Sequence, residues 1–193
     1  MWDALRRCRI GIATVAITYL VAIVVGAAMV HAGNAFALET RDSIVTGAHV
    51  EDPASRALRE GHRLDAALID FSRNVLLVAL PVTFAGLAIV VPYPFVAYRG
   101  WVGGIVSVDA AHASRLADPR EAAYYVTTLV LQVVPSALTG GAGVALGVAY
   151  VRRKPGDRLF LGLPRTALRD VALTYVVALP LFLIASLWEF LAR

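Results

Sequence analysis

Residues 10–30 read IGIATVAITYLVAIVVGAAMV, twenty-one residues without a charge, led by Arg6, Arg7 and Arg9. Nothing else in the chain constrains its fold so tightly. About 20 consecutive apolar residues cross the hydrocarbon core of a bilayer as a helix, and a basic flank holds its own end in the cytoplasm. The segment reads as an uncleaved span over about 10–31 that enters from the cytoplasm. A rival reading makes it a signal peptide cut near Ala35-Phe36-Ala37. The run is about twice the length of a signal-peptide apolar core, which weighs against cleavage.

The pattern recurs. With 59% hydrophobic residues and a mean hydropathy of +0.69, the chain exceeds the roughly 45–50% apolar content of soluble domains. The excess falls in blocks at about 74–92, 93–113, 124–151 and 171–192. The expected fold is an all-α integral membrane protein with a single membrane domain over 1–193, a five-transmembrane-helix bundle. Pro81, Pro135 and Pro180 kink three of its spans by freeing a carbonyl one turn earlier. The only sizeable polar stretch, 31–73, carries an insert over about 52–72. There Asp52-Pro53 signals a helix start, and Ala54, Leu58, Gly61, Leu64, Leu68 and Phe71 repeat at three- and four-residue spacing. That insert reads as an extracytoplasmic amphipathic helix that lies at the outer membrane face or runs straight into the next span, chiefly a packing stripe that caps the bundle.

The third block decides the topology. RGWVGGIVSVD, Arg99–Asp109, has only nine uncharged residues between its charged ends. If it does not cross, the basic loop of Arg152, Arg153, Lys154, Arg158, Arg165 and Arg169 lands outside while Arg6, Arg7 and Arg9 stay inside. If it crosses, both basic clusters lie in the cytoplasm and the acidic stretch 31–73 lies outside, as basic-loop asymmetry requires. Crossing is favoured: five spans, N-terminus in, C-terminus out. Arg99 then snorkels to the cytoplasmic headgroups. The short span needs shielding by protein or a wet cavity. Gly100 and Gly104, with Gly103 beside them, supply a close-packing face. Its expected partner is the strip Ser136, Gly140, Gly143 and Gly147 on the fourth span, within one subunit or between subunits.

Few residues suggest chemistry. The histidines His31, His49, His62 and His112 lack paired-ligand spacing, and no HExxH, Walker or Gly-x-Ser-x-Gly motif occurs. No metal, cofactor or nucleic acid is expected, and enzymatic activity is not. Asp109 and His112 could hold a cation, although a solvated helix end is the plainer reading. Asn74, Asp109, Gln132, Ser136 and Thr139 could line a polar path; more often such groups bond between helices or satisfy carbonyls freed by proline. The lone cysteine, Cys8, reads as a free cytoplasmic thiol, with lipidation of a juxtamembrane cysteine the alternative.

Several features form a pattern together. An amphipathic stretch leads into Phe71-Ser72-Arg73-Asn74, and a glycine-rich third span follows. The fourth span carries a central proline and a trailing Gly-x-x-x-Gly, and the last ends Ile184-Ala185-Ser186-Leu187-Trp188-Glu189-Phe190. Over about residues 10–191 this resembles the stage II sporulation protein M family of integral membrane proteins. The family's asparagine at the start of its second span is matched by Asn74, and the acid near the end of its last span by Glu189. Of its Pro-His-Gly-x-x-Glu element only Pro135 is kept; Ser136, Ala137 and Gly140 replace the histidine, glycine and glutamate, the mark of a divergent member. The resemblance implies a non-enzymatic five-helix membrane protein of scaffold character in the bacterial cytoplasmic (inner) membrane. A self-assembling scaffold or accessory subunit is the function expected. Its partners are membrane lipids, further copies of the chain as a homo-oligomer, or another membrane or cell-envelope protein. The alternative is a small channel or transporter with a polar path along the third and fourth spans; an intramembrane hydrolase has no motif to carry it.

Overall fold

The computed structural model describes residues 1–154, 156 and 158–192, with 48–51 as helical backbone only, so the side chains of His49 and Glu51 lie outside the described set. The first helix, α1, is Trp2–His31. It starts ahead of the expected span because Ala4, Leu5, Arg6 and Arg7 are good helix formers and Arg7 is anchored. Its Nε and Nη2 donate to the two Asp170 carboxylate oxygens, each at 2.6 Å.

The stretch after α1 is more ordered than its polarity suggests. Asn34 accepts from the Ala37 N–H and starts α2, Ala35–Glu51, a helix the sequence reading does not anticipate. The insert expected over 52–72 is two helices. Asp52 caps α3, Pro53–Arg59, and accepts from the Ser55 N–H. Gly61, at φ +84°, breaks the chain before α4, Arg63–Arg73, a left-handed turn that glycine adopts without steric cost. Of the two placements expected for this helix it takes the second: α4 runs straight on through a π-helical turn, Asn74–Ala79, and α5, Leu80–Ala85, to a 3₁₀ turn, Gly86–Ala88. The π turn lies just ahead of Pro81, where a ring without an N–H prevents regular hydrogen bonding.

The chain reverses at 86–91 around Ile89, whose φ of +56° closes a three-residue turn from the Val90 N–H to the Ala88 carbonyl. The next helix, α6, is Pro92–Ile105 and is shorter than the expected 93–113. Residues beyond it form a turn with a Val108–Ser114 bridge, buried at Ser107 and Val108 and exposed over 109–113. Asp118, followed by Pro119, caps α7, Pro119–Val151. A two-residue hairpin, β1 (Leu159–Phe160) with β2 (Leu163–Pro164), leads to α8, Arg165–Leu191. Both α7 and α8 continue through their internal prolines, Pro135 and Pro180.

Among the described residues the fold is therefore all-α apart from that hairpin. Four helical rods among the described residues are long and apolar enough to cross a membrane: Trp2–His31, Arg63–Ala88, Pro119–Val151 and Arg165–Leu191. Side-chain contacts fix their directions. Arg7 meets Asp170, so α1 and α8 start at one end. Asp70 meets Ser186 and Thr83 meets Tyr175, so the 63–88 rod opposes α8. Tyr93 meets Thr14, and Trp101 meets Met29, so α6 follows α1.

Glycines bring these rods together, with a different pairing from the one expected. Gly100 and Gly104 close onto α1, not α7. A methyl on Gly104 would sit 2.2 Å from the Ile23 carbonyl oxygen, and one on Gly100 2.5 Å from that of Tyr19. Gly103 alone faces α7, at the Leu129 side chain. The α7 strip is divided between two partners. Gly141 lies on Gly11 and Ile12 of α1, Gly143 on the Thr83 backbone, and Gly147 on the Gly86 carbonyl. Gly140 meets Val15 and Val82 side chains. All these contacts lie within one chain. Between them packs a core of Val15, Tyr19, Val82, Val96, Val133, Ala137 and Val144.

Candidate functional site

Polar groups gather at mid-height inside this bundle, and the backbone irregularities put them there. The π turn starts at Asn74, whose side chain meets Arg99 of α6. Arg99 lies one residue before Gly100, whose backbone rests on Tyr19 near the middle of α1. The guanidinium thus sits deep in the bundle. Its Nη2 donates to the Asn74 side-chain oxygen Oδ1 at 3.2 Å, which replaces the expected snorkelling to the headgroups. The Asn74 amide donates to Asp70 at 2.9 Å, and the Ser186 hydroxyl donates to the same Asp70 oxygen at 2.7 Å. An arginine and an aspartate are thereby joined through one amide. Charged groups at such depth are costly and mark function or specific pairing.

A second string lies across the core. The Thr83 hydroxyl donates to the Thr139 carbonyl at 3.0 Å and shares a 2.8 Å hydrogen bond with the Tyr175 hydroxyl. The Thr139 hydroxyl donates to the carbonyls of Pro135, at 3.0 Å, and Ser136, at 3.3 Å. Between the two strings is a cavity of about 10 Å³, lined by Tyr19, Arg99, Ser136 and Thr139 among apolar residues such as Val96 and Phe182. The Ser136 hydroxyl is buried and has no hydrogen-bond partner among the described residues.

The residues proposed for a polar path separate on this geometry. Ser136 and Thr139 line the cavity, and Asn74 reaches it through Arg99. Gln132 turns to α8 instead, where its amide donates to Glu189 at 2.9 Å; nearby the Trp188 indole donates to Thr128 at 3.2 Å. Asp109 is in no helix. Its Oδ1 accepts the Ala111 and Ala113 N–H groups, at 2.8 and 2.9 Å, in the exposed turn after α6. That excludes it from an internal path. It does not form a cation site with His112 either, because the His112 Nε2–H donates to Asp42 of α2 at 3.0 Å. Arg41 also donates to Asp42, at 2.8 Å, and these two donors, Arg41 foremost, hold the Asp42 carboxyl below its ordinary range. Cys8 is a free thiol, buried rather than exposed.

Sequence reasoning missed Asp70, Thr83 and Tyr175, and it misplaced Arg99. Only the acidity of Asp70 inside a rod that turns apolar four residues later was available as a signal. No family model, no curated protein and no solved structure matches the chain.

Proposed function

We propose that the chain is a scaffold or accessory subunit of the bacterial cytoplasmic membrane, non-enzymatic, with five crossings, its N-terminus inside and its C-terminus outside. The observation that carries the scaffold reading is the backbone-to-backbone closure at Gly11–Gly141, Gly26–Gly104 and Gly86–Gly143. Helices locked by contacts that admit no Cβ make a stiff platform and leave no space for a solute to slip between them. The resemblance to the stage II sporulation protein M family favours the same role.

Two observations support the fifth crossing. The basic residues beside Arg7 share an end of the bundle with the 152–169 loop, because Arg7 binds Asp170. Helix α6 follows α1 in direction. Its 14 residues rise about 21 Å, short of the roughly 30 Å apolar core, and the turns at 86–91 and 106–118 make up the difference at its two ends.

Since the glycine faces close the single chain, a homo-oligomer forms through the bilayer-facing surfaces instead. The exposed row Ile10, Ile17, Leu20, Val21 and Val24 on α1 is one such surface, open to lipid, to another copy or to another membrane protein. The native mass of the detergent-extracted protein, lipids retained, tests the role. A defined homo-oligomer or a stable complex supports a scaffold; a lone monomer with solute flux in vesicles contradicts it. The second reading, a small channel, is favoured by the polar strings around Arg99. A fixed guanidinium at mid-height sets such a path against protons and cations.

A further inference from the structure

We infer that the end of the bundle where α1 and α8 start binds two anionic phospholipids, one on each helix, with each phosphate held by a pair of arginines. The two sites are built alike. A groove of about 340 Å³ on α1 is lined by Trp2, Leu5, Arg6 and Arg9. One of about 330 Å³ on α8 is lined by Phe160, Arg165, Leu168, Arg169 and Ala172. Each combines an aromatic ring, a leucine and two arginines three or four positions apart. That spacing sets both side chains on one helix face, with Cβ atoms about 5–6 Å from each other, so one phosphate lies within reach of both guanidinium groups.

Three observations select a lipid, and an anionic one. The first is charge. Residues 1–9 and 152–170 hold nine arginines and lysines against Asp3, Asp157 and Asp170, and Arg7 already occupies the Asp170 carboxylate. Among the described residues the side chains of Arg6, Arg9 and Arg169 pair with no carboxylate, and Arg165 donates to the Leu159 carbonyl at 3.2 Å. Basic clusters beside a span attract anionic headgroups, whereas a zwitterionic headgroup brings no net charge to unpaired guanidiniums. The second is position. Each arginine pair ends a row of exposed apolar residues: Ile17, Leu20 and Val24 follow along α1, and Val176 and Ile184 along α8. A phospholipid held at the arginines lays its chains along these rows. The third is the hairpin. Leu159, Phe160 and Leu161 are exposed side by side between Arg158 and Arg165, and Leu161, at the tip with φ +51°, is 86% exposed. Three consecutive exposed apolar side chains signal a contact surface, and flanking arginines are what the headgroup boundary favours beside them. The inference rests on the reading of the rods as membrane spans and holds for a scaffold or a channel alike.

Native mass spectrometry of the full chain, released from nanodiscs of equal phosphatidylglycerol and phosphatidylcholine, tests it. The wild type should retain two phosphatidylglycerol molecules in preference to phosphatidylcholine. Arg6→Gln with Arg9→Gln should leave one, Arg165→Gln with Arg169→Gln should leave one, and the four together none. Each arginine removed should weaken retention about fivefold. Arg120→Gln, at the opposite end of α7, should leave both lipids in place. Equal retention of the two phospholipids would overturn the inference. So would two phosphatidylglycerols kept by the fourfold variant, or a loss in Arg120→Gln as large as in the paired variants. Retention abolished by free inorganic phosphate would assign the grooves to a soluble anion and overturn it as well. If Arg165→Gln does not fold, Arg169→Gln alone should still show the fivefold loss. A chain that resists extraction by alkaline carbonate yet retains no phosphatidylglycerol contradicts this inference alone; a chain that carbonate strips from the bilayer contradicts the membrane reading beneath it.

Discussion

Asp70 accepts hydrogen bonds from both Ser186 and Asn74, and Asn74 in turn holds Arg99. One carboxylate thus organises groups from three rods. Asp70→Ala leaves a hydroxyl and an amide without their acceptor and should cost about 1–3 kcal/mol; Asp70→Asn, which keeps an acceptor oxygen, should cost less. Unfolding in mixed detergent micelles measures both. Asp118 shows a residue effect outside the membrane. The Glu121 and Arg120 N–H groups bind its carboxylate and hold its titration below the ordinary 3.8. A depressed folded value means that the cap stabilises above pH 3.8 and that its contribution is lost as pH falls below it. An unfolding series from pH 6 to 3 should show that loss in the wild type and not in Asp118→Ala. Neither Asp70 nor Arg99 declares its role in sequence. They stand 29 positions apart, and Asn74 links them, four residues on from Asp70 and within reach of Arg99 across the packed helices.

Elements were legible in proportion to their hydropathy. The uncharged runs at 10–30 and 171–188 could not be missed. The helix α2 could, because AFALETRDSIVTGAHVE mixes polar and apolar residues without a clean period. The glycine strips signalled close packing but not its partner, since a small residue shows that a backbone can approach and not which one does. Gly100 and Gly104 therefore went to α7 in the reading and to α1 in the fold. Two substitutions separate packing glycines from idle ones. Gly143→Ala places a methyl 2.5 Å from the Thr83 carbonyl oxygen and 2.7 Å from its Cα; it should destabilise the bundle by more than 1 kcal/mol, in the range of overpacked cores. Gly47→Ala, in α2 with nothing within 4 Å, should stabilise by about 0.5–1 kcal/mol through helix propensity alone. Thermal unfolding of the two variants should move in opposite directions.

At the scale of the whole molecule, alternation of direction is the property on which the membrane topology depends. Composition fixes the solvent, and the two basic clusters fix an orientation only if their common end is known; the Arg7–Asp170 bridge supplies it. What sequence could not weigh was a helix as short as α6, whose 14 residues fall short of a full span; the proposed fifth crossing needs the flanking turns to complete its length. The most direct measurement is the labelling of single cysteines by a membrane-impermeant thiol reagent in intact spheroplasts. Cys8→Ala provides the background, with a cysteine at either Ala110 or Lys154. Five crossings require label at 110 without permeabilisation and at 154 only after it. Label at 154 in intact spheroplasts with protection at 110 would mean that α6 turns back without crossing, and would contradict the five-crossing topology.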